Sequence, residues 1–185
     1  RCACHIARRH GINGLAGRHQ DPWHDQCLHC STNDTQGGES VFGDGFAIDQ
    51  ALRDSDLQAF EQLAHTLIPC RFFDRTFDIR IHKPVITLAH DGAIQEIRCN
   101  AHLVDLPSET VDAWYRAYRA FMRLARDPAF RLSLQMAAGE MTAFDNRRIL
   151  HGRAAFNPAA GIRHLHGCYV DRVEYDSRMR MLQPS

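Results

Sequence analysis

The sequence lacks an excess of charge of either sign, a long apolar run and a regular spacing of cysteines. Lys+Arg and Asp+Glu both number 22 among 185 residues, so no long-range field favours a nucleic acid or an anionic surface. No stretch approaches the ~18 apolar residues that span a bilayer, and the N-terminus carries no apolar signal region. We therefore expect a cytoplasmic protein that binds neither nucleic acid nor membrane.

The seven cysteines are odd in number and irregularly spaced. A chain of this length with such a pattern does not indicate the disulfide framework of a secreted protein. We expect most of the cysteines to be reduced residues of the core or of strands.

Apolar periodicity predicts two helical stretches. Apolar residues recur at helical spacing between Ile48 and Leu67, and an aromatic stripe runs from Val111 to Ala125. Ser55 and Gln58 predict a capping box for the second half of the first stretch. We expect the aromatic stripe to pack into the core.

Short strands account for most of the remaining pattern. Asp91-Gly92 between two β-rich segments predicts a hairpin. Many short strands with inserted helices predict a mainly β fold, a sandwich or barrel core with appended helices. The predicted strands are 28–32, 40–42, 84–88, 94–99, 130–136, 140–144 and 164–170.

His19, Asp21 and His151 together supply two imidazoles and one carboxylate, the ligand set of a non-haem Fe(II) site. Two histidines and one carboxylate can occupy one face of an octahedral Fe(II) ion and leave three positions open. His19 and Asp21 are two residues apart, so in an extended segment both side chains point the same way. His151 would come from another strand. The H-x-D pair alone is weak evidence, because short motifs arise by chance.

Arg163 begins a predicted strand without an acidic residue beside it. A buried guanidinium needs an anionic partner, and arginine can form two parallel hydrogen bonds to a carboxylate. A bound carboxylate is therefore one interpretation. The other is an arginine on the solvent face of the strand.

From Leu28 to the C-terminus, the sequence resembles the catalytic domain of the γ-butyrobetaine dioxygenases, in the taurine-dioxygenase-like family of Fe(II)/2-oxoglutarate oxygenases. The resemblance rests on ordered matches over much of the chain. These are Leu28-His29-Cys30, Gly37-Gly38-Glu39-Ser40, Asp44-Gly45-Phe46, Phe144-Asp145-Asn146-Arg147, Leu150-His151-Gly152-Arg153, Arg163-His164-Leu165 and Gly167-Cys168-Tyr169-Val170-Asp171.

The resemblance implies a double-stranded β-helix (jelly-roll) core. It implies His19, Asp21 and His151 as Fe(II) ligands and Arg163 as the partner of the distal carboxylate of 2-oxoglutarate. Ser40 falls where the family places a hydroxyl against the same co-substrate, although a turn serine is an equal alternative. The implied cofactors are Fe(II), 2-oxoglutarate and O2, with ascorbate as reductant.

The resemblance also implies a substrate, γ-butyrobetaine, hydroxylated to L-carnitine in carnitine biosynthesis. Asn100, Tyr169 and Trp23 are the candidate substrate residues. Aromatic faces attract a trimethylammonium group by about 0.5–2 kcal/mol each. Asn100 and Tyr169 could equally be a strand-end amide and a core tyrosine. The family suggests a homodimer.

Family members place much more of the catalytic domain before the H-x-D motif than the eighteen residues present here. We expect either a fragment or a truncated relative, with a jelly roll incomplete at its N-terminal end. Residues 1–18 are interpreted as a linker or as the remnant of a zinc-binding domain, and 19–185 as the catalytic domain. Cys2, Cys4 and His5 do not supply the four ligands of a zinc site, so incidental thiols are the preferred interpretation.

Two alternatives stay open. One is trimethyllysine dioxygenase, which has the same iron chemistry on a related cation. The other is a degenerate sheet domain that binds metal without catalysis. A zinc-dependent nucleic-acid module is disfavoured, because the charge is balanced and there is no basic stripe.

Overall fold

A computed structural model describes residues 25–73, 78–99, 108–155, 157 and 161–183. Ten strands and four α-helices lie within these residues. The strands are β1 (Asp25–Asn33), β2 (Ser40–Asp44), β3 (Ile68–Phe73), β4 (Asp78–Lys83), β5 (Ile86–Leu88), β6 (Ile94–Ile97), β7 (Arg131–Leu134), β8 (Met141–Asp145), β9 (Ile149–Arg153) and β10 (Arg163–Val170). The helices are α1 (Gly45–Ser55), α2 (Leu57–His65), α3 (Ser108–Arg126) and α4 (Arg172–Leu182).

The described strands form two three-stranded sheets and two hairpins. β1 is the centre of the first sheet and pairs antiparallel with both β10 and β8. The second sheet has the order β7-β2-β9, and the hairpins are β3–β4 and β5–β6. The hairpin predicted around Asp91-Gly92 is confirmed as β5–β6.

β1 contains a bulge between Cys30 and Thr32. Cys30 lies opposite Leu165, but Thr32 lies opposite His164, so β1 carries one residue more than its partner. A bulge reverses the facing of the residues that follow it. Accordingly, Cys30 and Asn33 both donate to the carbonyl oxygen of Met136, at 3.6 and 2.7 Å.

The described residues divide into two compact units. The first comprises residues 42–132 and 148–152 and contains an apolar cluster built on α1, α2, α3 and the β5–β6 hairpin. Trp114 and Phe121 of α3 are completely buried, and Trp114 stacks on Tyr118 with 4.8 Å between ring centroids. The predicted aromatic stripe therefore packs into this core.

Helices α1 and α2 are separate, and the predicted capping box is wrong. The Asp56 side chain caps α2 by accepting from the Ala59 N–H at 3.0 Å. The Ser55 hydroxyl instead donates to the carbonyl of Ala51 at 2.6 Å. Ser55 is still the last residue of α1, so Asp56 is the residue placed to satisfy the free N–H groups at the start of α2.

The second unit comprises residues 25–41, 133–147 and the described residues from 153 onward. Its sheet buries Gln26, Leu28 and Cys30 on one face, whereas the opposite face leaves His29 and Cys168 exposed. The β3–β4 hairpin of the first unit and helix α4 of the second were not predicted from sequence. None of the described helices is both long enough and apolar enough to cross a membrane.

Candidate active site

Arg163 and Ser40, predicted from sequence as co-substrate residues, are in contact. Ser40 begins β2 and Arg163 begins β10. The Arg163 Nη2 donates to the Ser40 Oγ at 3.2 Å, and the Ser40 side chain is buried. The two residues are 123 positions apart, so the fold brings together a guanidinium and a hydroxyl that can both donate to one carboxylate.

The surroundings of this pair are polar and ordered by hydrogen bonds. Asn33 lies directly opposite Arg163 in the sheet and donates to the Met136 carbonyl at 2.7 Å. The hydroxyl of Thr35 donates to the Asn33 side-chain oxygen at 3.0 Å. Ser40 Oγ also lies 3.8 Å from the Met136 sulfur. These contacts fix the side chains that border the guanidinium.

Arg163 retains an unused donor. Its Nε is buried and has no hydrogen-bond partner, and no carboxylate of the described residues pairs with it. Burial, followed by the positive charge of Arg153, lowers the pKa of Arg163. A bound carboxylate would accept a hydrogen bond from Nε, and its negative charge would offset the positive charges of Arg163 and Arg153. The arrangement therefore fits the distal carboxylate of 2-oxoglutarate.

Glycines position both members of the pair. Gly37 and Gly38 have φ angles of 77° and 74°, left-handed conformations that let the chain turn tightly before Ser40. Gly161 has φ 152°, and a Cβ there would lie 2.5 Å from the Asp34 carbonyl oxygen. At position 161, two residues before Arg163, a residue larger than glycine would therefore clash with the backbone of Asp34.

His151 lies in β9, and its strand is anchored in the first unit. The Arg148 side chain donates to both carboxylate oxygens of Asp44, at 3.0 and 2.5 Å. The Gly45 N–H donates to the Arg148 carbonyl at 2.9 Å, where a Cβ on Gly45 would lie only 2.7 Å from that oxygen. Asp44 is also the N-cap of α1, so one carboxylate joins the start of the helix to the start of β9.

The electrostatics of these residues follow from their contacts. The hydrogen bond from Arg148, opposed in part by burial, lowers the pKa of Asp44 and keeps this carboxylate ionised. Burial lowers the pKa of His151 and favours the neutral imidazole. The neutral form is the one that binds a metal ion, so His151 fits the role of an iron ligand.

The other predicted iron ligands, His19 and Asp21, lie outside the described residues, as do Trp23 and Asn100. Cys2, Cys4 and His5 also lie there. Within the described residues, no group of three or more His, Cys, Asp or Glu side chains is placed to hold a metal ion. The convergence of His19, Asp21 and His151 stays a prediction.

Tyr169 is half-buried, and burial raises its pKa. It lies opposite Gln26, which is 1% exposed and whose Oε1 has no hydrogen-bond partner. Sequence reasoning missed Gln26. A single glutamine inside a strand gives no periodic signal, and only the fold shows that its amide is buried beside a candidate substrate residue.

The family model described as "Taurine catabolism dioxygenase TauD, TfdA family" matches residues 17–169. The chain belongs to this family. The resemblance to the taurine-dioxygenase-like family, predicted from sequence, is confirmed by that match.

Two curated proteins show how similar this TauD/TfdA chain is to known dioxygenases. The γ-butyrobetaine dioxygenase of Pseudomonas sp. (strain AK-1) is 44% identical over 161 residues, which cover 85% of this chain and 42% of the relative. The mitochondrial trimethyllysine dioxygenase of Gallus gallus is 31% identical over 173 residues, which cover 88% of this chain and 40% of the relative. The chain therefore spans less than half the length of these two relatives.

A solved structure confirms the fold class. The crystal structure of AAD-2 in complex with Mn(II) and N-oxalylglycine aligns with a TM-score of 0.63 and 15% sequence identity. The alignment covers 80% of this chain and 63% of that chain. The TauD/TfdA chain thus has the predicted fold, β-sheets of the jelly-roll type with inserted helices.

Proposed function

We propose that this chain is part of an Fe(II)- and 2-oxoglutarate-dependent hydroxylase that converts γ-butyrobetaine to L-carnitine. The observation that carries the proposal is the contact of Arg163 with Ser40, next to a buried guanidinium N–H that lacks a partner. An unpartnered buried donor is costly, and a dicarboxylic acid co-substrate would satisfy it. The 44% identity to a γ-butyrobetaine dioxygenase supports the choice of substrate.

His19, Asp21 and His151 are proposed to hold Fe(II). When bound, the iron with O2 and 2-oxoglutarate supplies the oxidising power for hydroxylating an unactivated carbon, and ascorbate serves as reductant. The neutral imidazole of His151 leaves a lone pair for the metal. Arg163 and Ser40 orient the co-substrate by holding its distal carboxylate, so the chain itself supplies binding and alignment.

The substrate is proposed to be a small quaternary ammonium compound. Tyr169, Trp23 and Asn100 are the proposed substrate residues. A trimethylammonium group is attracted to aromatic faces, by about 0.5–2 kcal/mol for each face, and Tyr169 is already half-buried on the sheet that carries Arg163. The 19–185 catalytic domain, the homodimer and the cytoplasmic location stay predictions.

A second candidate is the hydroxylation of trimethyllysine. The 31% identity to a trimethyllysine dioxygenase favours it over an unrelated substrate, and the higher identity to the butyrobetaine enzyme places it second. Both substrates carry the same cationic head, so the proposed aromatic contacts would suit either.

The test is succinate release from 2-oxoglutarate with Fe(II) and ascorbate. We expect added γ-butyrobetaine to accelerate it at least ~10-fold more than trimethyllysine at equal concentration, a difference of about 1.4 kcal/mol in barrier. His151→Ala should abolish both turnover and metal retention. His65→Ala is the matched control, because His65 is exposed on α2, and it should leave both unchanged.

Each outcome points to one interpretation. Faster turnover with trimethyllysine would favour the second candidate. Metal retention without succinate under any condition would favour the non-catalytic sheet domain. Unchanged turnover in His151→Ala would remove that residue from the iron site.

A further inference from the structure

Two cysteines face each other across neighbouring strands of the second unit. Cys27 of β1 lies directly opposite Cys168 of β10 in the antiparallel register. Both residues are free cysteines. The pair lies on the face of the sheet opposite to Leu28 and Cys30, so it is separate from the site around Arg163.

The backbone geometry suits a disulfide. Residues directly opposite in antiparallel strands have Cα atoms about 4.5 or 5.5 Å apart, and disulfides are formed over about 4.4–6.8 Å. Two cysteines at directly opposed positions need only side-chain rotations, without backbone movement, to bring their sulfur atoms into bonding distance. The neighbour of Cys27 on the other side, Ala143 of β8, is small and exposed.

The two thiols differ in access. Cys168 is exposed, whereas Cys27 is half-buried. Burial first, and then the neighbouring Cys168, raises the pKa of Cys27. A reagent in solution therefore meets Cys168 first, and Cys27 is held beside it as the second thiol.

A metal site is a weaker interpretation of the exposed Cys27–Cys168 face than a pair of thiols that react with each other. His29 and His166 lie opposite each other on the next rung, with 6.4 Å between ring centroids. Even so, the residues that the structure describes contain no group of three possible ligands arranged around one point. The two opposed thiols of Cys27 and Cys168 need no third ligand to react with each other.

We propose that Cys27 and Cys168 are a redox-active dithiol, which closes to a cross-strand disulfide on reaction with a disulfide oxidant such as oxidised glutathione. The Cys168 thiolate attacks one sulfur of the oxidant, forms a mixed disulfide and releases one glutathione. The Cys27 thiolate then attacks the Cys168 sulfur and releases the second glutathione. The two cysteines lose two electrons and two protons, and one oxidised glutathione becomes two reduced molecules.

Closure would tie β1 to the strand that carries Arg163 and Tyr169. A covalent link between residues so far apart in sequence restricts the unfolded chain, so the oxidised protein should unfold at a higher temperature. This consequence is independent of the proposed activity and is measurable without metal, co-substrate or substrate.

The experiment is equilibration of the reduced, purified chain in glutathione buffers from fully reduced to fully oxidised, followed by acid quenching and tryptic mass spectrometry. We expect two of the seven thiols to disappear together, with a product lighter by two hydrogen atoms. The peptide that contains Cys168 should be linked to the one that contains Cys27. Reduced glutathione should reverse the link.

Cys30 provides the matched control. It lies in the same tryptic peptide as Cys27 but on the opposite face, where its thiol donates to the Met136 carbonyl. Cys30→Ser should keep the link, whereas Cys27→Ser and Cys168→Ser should each abolish it and its thermal shift. Because Cys168 is exposed, its replacement should not disturb folding.

The proposal is overturned if the linked peptide fails to form at any glutathione ratio. It is equally overturned if fragmentation assigns the link to Cys30, or if Cys168 stops at a mixed disulfide with glutathione while Cys27 remains free.

Discussion

Asp49 is a buried ionisable side chain, and Arg163 is a half-buried one whose Nε is buried. Neither has a salt-bridge partner among the described residues, but their surroundings differ. Asp49 lies in α1 beside the apolar core residues Ile48 and Leu52, is completely buried, and has no hydrogen-bond partner for either carboxylate oxygen. Burial alone raises its pKa to about 8. Arg163 lies among polar groups, with the Ser40 hydroxyl already bonded to it.

This difference distinguishes Arg163, which can bind a ligand, from Asp49, whose burial only lowers stability when it is ionised. Asp49 has no hydrogen-bond partner among the described residues, so it avoids the cost of burial by taking up a proton. Arginine cannot become neutral in this way, because it keeps its proton at any physiological pH. A guanidinium with a buried, unpartnered Nε and an adjacent hydroxyl is therefore the stronger sign of an anionic ligand.

The largest expected effect is on co-substrate binding. Arg163→Ala should weaken 2-oxoglutarate about 100- to 1,000-fold, because truncating one partner of a buried charge pair costs about 2–5 kcal/mol. Stability without co-substrate should change little, since the half-buried Arg163 loses its hydrogen bond to Ser40 together with an unpartnered buried Nε. Calorimetric titration with Mn(II) present measures the affinity.

Arg80→Ala is the control, since Arg80 is exposed and its guanidinium pairs with the Asp78 carboxylate at 2.8 Å. Arg163→Lys should fall between the two, because lysine keeps the charge without the paired hydrogen bonds. If wild type and Arg163→Ala bind 2-oxoglutarate with equal affinity, Arg163 does not bind the co-substrate and is, like Asp49, an ionisable group without a ligand.

The next effect concerns the pH dependence of stability at Asp49. The native state keeps the proton up to about pH 8, whereas the unfolded chain releases it near the ordinary value of 3.8. The unfolded state thus binds fewer protons between these values, and the contribution of Asp49 to stability falls as the pH rises. Asp49→Asn removes this titration while keeping the shape.

Relative to wild type, Asp49→Asn should gain about 3 kcal/mol between pH 5 and pH 7, at about 1.4 kcal/mol per pH unit. Urea unfolding of both proteins at the two pH values measures the gain, and the titrations of all other groups cancel in the difference. An identical difference at both pH values would mean that Asp49 is ionised in the folded protein.

A smaller effect is expected at the glycine that precedes Arg163. Gly161→Ala should lower stability by roughly 1–3 kcal/mol, because backbone strain and the clash with Asp34 add together. It should also weaken 2-oxoglutarate by displacing the start of β10. Gly139→Ala is the control, since Gly139 has φ 92° but open space around its Cβ position. Equal losses of stability in the two variants would contradict a role for the close approach.

The smallest effect is expected at Ser40. Ser40→Ala should weaken 2-oxoglutarate about 5- to 10-fold, since a single neutral hydrogen bond contributes about 1 kcal/mol. Ser31→Ala tests the specificity, because the Ser31 hydroxyl is bonded to the His164 carbonyl on exposed strand residues. A loss of affinity in Ser31→Ala as large as in Ser40→Ala would argue against a direct contact.

Strong local patterns made parts of the fold predictable. The aromatic stripe of α3 has a period that only a buried helical face explains, and Asp91-Gly92 sits in the turn of a hairpin. Helix α4 was missed because its exposed residues, which include Val173 and Met181, give no clear apolar face. The cap of α2 was misassigned by one residue, because Ser55 and Asp56 are both good capping residues.

The candidate site was predictable only as a set of residues. Family resemblance named Arg163 and Ser40, but neither their contact nor the unpartnered Nε follows from residues 123 positions apart. Gln26 and Asp49 carry no local signal, because their importance comes from what surrounds them. The pairing of Cys27 with Cys168 depends on strand register, which isolated strand segments do not specify.

The extra residue in β1 has a consequence for comparing sequences. Without it, Asn33 would turn to the other side of the sheet and would no longer share the Met136 carbonyl with Cys30. A homologue one residue shorter between these positions would need another way to support its arginine. The number of residues between Cys30 and Asn33 is therefore as informative as their identity when one judges whether a distant homologue can keep the same arrangement around Arg163.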